Sequence, residues 1–177
     1  MYDKLLGTEH NIKENKHMAM TKLKRNQFIP FIDVAKDLTF AASEWARVDY
    51  STIFELTVGE QEETLAYICY ENDVTEVNSN QPELPQEIAI YEGNKVYDFM
   101  AKQLYDLPTG EGVKVPFLLC FGGTDKRAWR TIATITSKVL NTVDGKITFS
   151  IKMGGDIEKG TYTITEGTPT FTAAVSA

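Results

Sequence analysis

The chain has 177 residues, 42% of them hydrophobic, and a formal charge of −7 from 25 acidic and 18 basic side chains. That length suits one domain with a real core, and no apolar run approaches the roughly 20 residues a membrane helix needs. The acidic balance disfavours tight binding of nucleic acid through its phosphates, though not a surface past which nucleic acid slides.

Residues 1–27 read as an N-terminal arm, because their apolar residues are few and unpatterned and the stretch closes on the basic cluster Lys22, Lys24 and Arg25. Met1 to Met20 lacks the apolar centre of a secretory signal. A single β domain is expected over 28–173, with a short tail at 174–177. Phe28 to Val34 is a short apolar run with Pro30 inside it, which fits an edge or first strand rather than a central one. Leu38 to Ala46 reads as loop or a single turn. From Val48 to Val58 the residues Val48, Tyr50, Ile53, Phe54, Leu56 and Val58 predict a strand, with Leu65 to Tyr70 as its partner and Gly59 to Glu63 as an acidic hairpin tip between them. Glu71 to Pro85 reads as a long polar connection of the kind that packs against a partner.

Gln86 to Tyr91 predicts a strand that leads into a helix. Asn94 suits the N-cap, Asp98 complements the dipole in the first turn and pairs by spacing with Lys102, and Val96, Phe99, Met100, Leu104 and Leu107 form one apolar stripe. Pro108 and Gly110 stop it. A helix with one oily face needs a sheet to rest on, and the rest of the chain is β in character.

Val113 to Phe121 is a nearly continuous apolar strand, and Trp129 to Leu140 a long one. Asp144-Gly145 suits a primed hairpin turn, after which Ile147, Phe149, Ile151 and Met153 alternate with Lys146, Thr148, Ser150 and Lys152. Gly154-Gly155-Asp156 makes the next turn, Tyr162 and Ile164 continue the alternation, and Gly167-Thr168-Pro169 ends it. The pattern amounts to about seven strands and one helix: a mainly β fold, a β-sandwich or partly closed barrel with one flanking helix.

No catalytic constellation emerges. The two histidines, His10 and His17, both lie in the arm, and no nucleophile elbow, zinc-protease helix or metal-ligand spacing occurs. Gly122-Gly123-Thr124-Asp125-Lys126 lacks the Walker spacing and reads as a turn between strands. Glu60, Glu62, Glu63, Glu71, Asp73 and Glu76 lack the calcium-loop pattern and read as a solvated face. No metal, no cofactor and no enzyme activity are expected. Cys69 and Cys120 fall in apolar strand-like segments and read as small buried thiols. Tyr97 and Tyr105, flanking the helix stripe, are read as core or as half exposed and open to a partner.

Several stretches together carry a family resemblance: Trp45-Ala46-Arg47, Ser51 to Leu56, Tyr70-Glu71-Asn72-Asp73 with Thr75-Glu76-Val77, and Leu84 to Gly93. The helix from Val96 through Tyr105 to Pro108-Thr109-Gly110, Ile147 to Ile151, Lys159-Gly160-Thr161 and Gly167 to Phe171 extend it. In order and spacing, from Lys22 to Ala173, the sequence resembles the major tail proteins, or tail tube proteins, of tailed bacteriophages. The resemblance implies a β-sandwich or barrel core with a flanking helix, and a structural subunit that forms hexameric rings stacked into a hollow tube. The viral genome would pass down the lumen without specific binding, other tail proteins would cap the tube, and the protein would reside in the virion after assembly in the host cytoplasm. Inter-subunit or inter-ring contacts are expected at Glu60, Glu62, Glu63, Glu71, Asp73 and Glu76 and at the terminal arms. Met1 to Met20 extends past where such proteins are expected to begin, with Met18 or Met20 as an alternative start. The inner tube of a contractile injection or secretion machine is the nearest alternative; a monomeric β-sandwich binding module is one of a different class.

Overall fold

Apolar alternation in the last third of the chain builds the sheet on which everything else rests. In the computed structural model, which describes residues 21–174, this part forms β7 (Arg127–Asn141), β8 (Lys146–Met153), β9 (Glu158–Thr165) and β10 (Thr168–Ala173). Earlier come β1 (Ile29–Asp33), β2 (Trp45–Arg47), β3 (Glu60–Leu65), β4 (Val74–Asn80), β5 (Glu83–Ala89) and β6 (Lys114–Cys120), with one α-helix, α1 (Lys95–Asp106). Residues 1–20 of the arm assigned to 1–27, with both histidines, and residues 175–177 of the tail lie outside the described residues.

Eight strands form one antiparallel sheet with β7 as its spine. On one side β7 pairs with β6; on the other its start, Arg127 to Arg130, pairs with β9 and its later part, Ala133 to Asn141, with β8. The path runs β10-β9-β7-β6-β1-β2, and β5 joins outside β8. A bulge between Thr136 and Val139, with Ser137 at φ 52°, lets β7 change direction along β8. The sheet curls into a half-barrel, so that β10 returns beside β2. The fold is therefore mainly β with one helix.

Because the sheet curls, its middle strands bury both faces. One face carries Ile32, Val115, Phe117, Leu119, Ala133, Ile135, Ile147, Phe149 and Ile151, against which α1 packs. The other carries Ile29, Phe31, Leu118, Cys120, Ala128 and Tyr162, closed by Trp45 and Phe171. This explains the unbroken apolar run of β6, buried from Val115 to Cys120.

The N-cap reading of α1 holds: the Asn94 carboxamide oxygen accepts from the backbone N–H of Val96 at 3.0 Å and of Tyr97 at 3.2 Å. Val96, Phe99, Met100 and Gln103 are the buried positions, spaced i, i+3, i+4, i+7. Each apolar one adds about 1.5–3 kcal/mol of burial. Two details differ from the sequence reading. Leu107 adopts the left-handed C-cap conformation (φ 47°) and swings out to 75% exposure, so the stripe ends at Leu104. Asp98 and Lys102 do not close an ion pair among the described residues.

Other expectations are corrected. Pro30 sits in an interior strand: β1 lies between β2 and β6, and Pro30 is tolerated because β2 ends at Arg47, leaving its position to accept only the Val48 N–H. Val48 to Val58 is an irregular run bonded to β5 at scattered points, including the bridges Ser51 to Ile88 and Thr57 to Glu83. Leu65 to Tyr70 is not its partner strand. The Asp144-Gly145 turn is a four-residue loop, in which the Asn141 side chain accepts from the Val143 and Asp144 N–H groups. The primed two-residue turn lies instead at Glu166-Gly167, with φ 51° and 83°. Gly167 therefore opens a further strand, β10, rather than ending the sheet, and Ile164 faces outward at 40% exposure. Ser150, expected on the wet face, is buried, and its hydroxyl donates to the Glu83 carboxylate.

The loop before β2 is stapled from within. The buried Asp33 carboxylate accepts from the backbone N–H of Ala35, Asp37 and Glu44 at 3.0, 2.9 and 2.7 Å. This carries Phe40 to the mouth of the half-barrel, where Arg130 lies over the Phe40 ring at 4.7 Å and the Phe171 ring at 4.5 Å. Arg130 also donates to Glu158 Oε2 from Nε and Nη2 at 2.9 and 2.6 Å. Gly160 makes room for Phe171, since a Cβ there would lie 2.7 Å from its ring.

Candidate assembly surface

The segment read as an acidic tip and a polar connection folds as a two-stranded antiparallel ribbon. β3 and β4 pair only with each other, from Glu60 opposite Asn80 to Leu65 opposite Val74. Glu60, Glu62 and Glu63 stand on β3, Glu76 on β4, and Glu71 and Asp73 in the connecting turn. The structure thus brings all six sequence-selected carboxylates onto one element, though neither as a tip at Gly59 to Glu63 nor as a loop over Glu71 to Pro85. The strands escaped detection because a ribbon with no buried face has no apolar alternation to read.

Both faces of this ribbon are in solvent: Leu65 and Val74 are half-buried and every other residue of the two strands is exposed. Glu63 lies directly opposite Glu76, a like-charge pair that weakens the ladder, relieved in part by the Asn78 amide donating to Glu63 at 3.2 Å. The turn carries Tyr67, Ile68 and Tyr70, with Ile68 fully exposed and the two rings edge to face at 6.1 Å. Cys69 stands exposed in this turn, which corrects its reading as a buried thiol; Cys120 is buried in β6, and burial pushes its thiol up to about 12.

A charge signal in the sequence also marks this surface. Between Arg47 and Lys95 there is no Lys or Arg, while eleven carboxylates fall there. The ribbon occupies the middle of that interval.

At its root the ribbon continues the irregular run beside β5: Gln81 N–H donates to Gly59 O at 3.1 Å, and Thr57 and Glu83 exchange backbone bonds at 3.0 and 2.9 Å. Beyond it, β5 and β8 present a charge ladder. Lys146 Nζ reaches Glu87 at 2.5 Å and Thr52 Oγ1 reaches the same carboxylate oxygen at 2.6 Å; Lys152 lies 3.5 Å from Glu83. The Lys146 and Thr52 hydrogen bonds hold Glu87 below the usual carboxylate range, and Glu87 in turn raises Lys146.

At the far end of β5 lies an open groove of about 650 Å³ between the 25–30 segment and the run 47–54. Tyr50 and Tyr91 pair at its rim, 5.0 Å apart and more than half exposed. Arg25 donates to the carbonyls of Ser51 and Thr52, and Arg47 pairs with Asp49 at 2.9 Å. On the helix, Tyr97 packs against the core while Tyr105 is 89% exposed.

Among the described residues no group of three or more His, Cys, Asp or Glu side chains stands together as a metal site, and no helix is long and apolar enough to cross a membrane. No family model matches the chain, and no curated protein matches it.

Proposed function

We propose that the chain is the structural subunit of a bacteriophage tail tube, forming stacked hexameric rings around a lumen through which the viral genome passes. The observation that carries this reading is the β3–β4 ribbon. A two-stranded ribbon with neither face buried is at best marginally stable by itself, and this one adds opposed carboxylates and an apolar turn. Such an element gains its stability by docking. The sheet ends at β2 and β10 lie beside each other without pairing, and their unpaired backbone groups are ones that ring closure would satisfy. The family resemblance from Lys22 to Ala173 supplies the identity of the assembly, with other tail proteins at its ends, the virion as its location and the host cytoplasm as the place of assembly. The inner tube of a contractile injection or secretion machine is built on the same principle and stands as the nearest alternative.

The exposed Tyr50–Tyr91 pair in its groove favours a second reading, a monomeric β-sandwich binding module. Electron microscopy of the purified protein across concentration and salt separates the two. Rings or tubes are the expected result; monodisperse small particles under every condition would overturn the assembly reading.

A further inference from the structure

We infer that the groove at Tyr50 and Tyr91 is the receptor for the ribbon turn of a second copy of this chain, so that copies join head to tail along the direction of β5. The inference rests on the assembly reading and adds to it the surface that receives the ribbon. Three observations carry it.

Position comes first. The ribbon leaves the body at Glu83, at one end of β5, and the groove lies at Ala89, at the other. These ends are separated by about 20 Å of strand, and past Glu83 the antiparallel pairing runs on, from Glu60 opposite Asn80 to Leu65 opposite Val74, for about 20 Å more. A turn carried that way points away from the groove of its own chain and meets only the groove of another.

Second, the two surfaces match in chemistry. The ribbon and its turn carry Glu60, Glu62, Glu63, Glu71, Asp73 and Glu76 without one Lys or Arg. The groove is lined by Arg25, Arg47 and Asp49; Arg47 is paired with Asp49 at 2.9 Å, so Arg25 is the cation the groove offers, with Lys22 and Lys24 preceding it in the chain. Among the described residues no carboxylate pairs with Arg25, whose bonds go to carbonyl oxygens. Third, the apolar turn, with Ile68 fully exposed, finds apolar walls in the groove at Phe28, Ile53 and Phe54. A contact between two different patches of one molecule is heterologous, and repeated along one direction without a closing rotation it yields an open stack.

Cys69 in the turn makes a direct test, because the other cysteine, Cys120, is buried. Ile53→Cys places a thiol in the groove, and Asn26→Cys places one on its opposite wall should the first fail to fold. Mild oxidation should give a ladder of disulfide-linked dimers, trimers and longer species, lost when Cys69→Ser is added. Arg25→Glu should raise the concentration needed for assembly about tenfold at low salt, with a smaller effect at high salt. Two outcomes overturn the inference. If wild-type assemblies form but oxidation of both groove variants yields no species beyond the dimer, the groove is not the receptor and the assembly reading stands. If the wild-type protein stays monomeric throughout, both fall together.

Discussion

Arg130 is the residue whose removal tests the closure of the half-barrel. Its guanidinium lies over the rings of Phe40, from the loop before β2, and Phe171, from β10, at 4.7 and 4.5 Å, and makes two bonds to Glu158 on β9. With the Arg130 side chain 25% exposed, each cation–π contact is worth about 1 kcal/mol. Glu158 is 41% exposed, so the ion pair is screened and adds about 1 kcal/mol more. Arg130→Ala should therefore cost about 3 kcal/mol, or a fall in Tm of roughly 6–12 °C for a chain of this size. Arg130→Lys keeps the charge but loses the planar face and the fork, and should recover about a third of that loss. Urea unfolding followed by tryptophan emission reads the effect, since Trp45 packs beside Phe40 and Trp129 beside Phe121. A double-mutant cycle with Phe171→Leu should show about 1 kcal/mol of coupling. Stability of Arg130→Ala within 0.5 kcal/mol of wild type, by the order-of-magnitude limit for surface changes, would refute the clamp.

Phe99→Asp removes an aromatic ring from the contact between α1 and the sheet and buries a carboxylate, and should cost several kcal/mol in urea unfolding; a loss below about 1 kcal/mol would mean that the helix is not docked. Glu62→Lys, on an exposed strand, should leave the melting curve within about 0.5 kcal/mol of wild type while slowing growth of the proposed tube in sedimentation and electron microscopy; normal growth would remove this edge of the ribbon from the proposed interface. Glu87, lowered by its hydrogen bonds from Lys146 and Thr52, contributes stability above its ordinary value of 4.5 and loses it as pH falls through the lowered value; Lys146, raised by Glu87, keeps its share until pH climbs past its ordinary 10.5. Glu87→Gln should accordingly flatten the acid limb of the Tm–pH curve below pH 4.5, and an unchanged acid limb would show that the pair is not formed in solution.

What the sequence made legible follows from which faces are buried. β8, wet on one face over most of its length, showed its alternation directly, and α1 showed its cap and stripe because Asn94 and the apolar spacing act locally. β6 was visible as an apolar run because α1 covers one of its faces and the curled sheet the other. The ribbon was invisible as strands for the opposite reason: β3 reads Glu-Gln-Glu-Glu-Thr-Leu and has no face to bury within one chain. The alternation reads as ending before β10 because Gly167-Thr168-Pro169 resembles a stop; Glu166 and Gly167 form instead a tight turn that returns the chain along β9. The six acidic residues were selected as solvated positions, and their gathering on one ribbon came from pairing that no local pattern encodes.

Charge segregation gives the proposed head-to-tail contact its direction. All 18 basic residues lie outside the interval from Val48 to Asn94, so the ribbon presents carboxylates alone. Two ribbons meeting side by side would set Glu63 and Glu76 against their own kind, and two grooves meeting would oppose Arg25 to Arg25, Arg47 being paired with Asp49; neither isologous pairing brings opposite charges together. Ribbon to groove is the pairing in which opposite charges and two apolar surfaces meet together, and it alone leaves a free ribbon at one end and a free groove at the other. The opposed carboxylates that weaken the ribbon in the single chain thus bias association toward growth over closed dimers. That bias should fade with rising salt, since screening removes the repulsion that blocks the symmetric pairings as well as the attraction that favours the directional one.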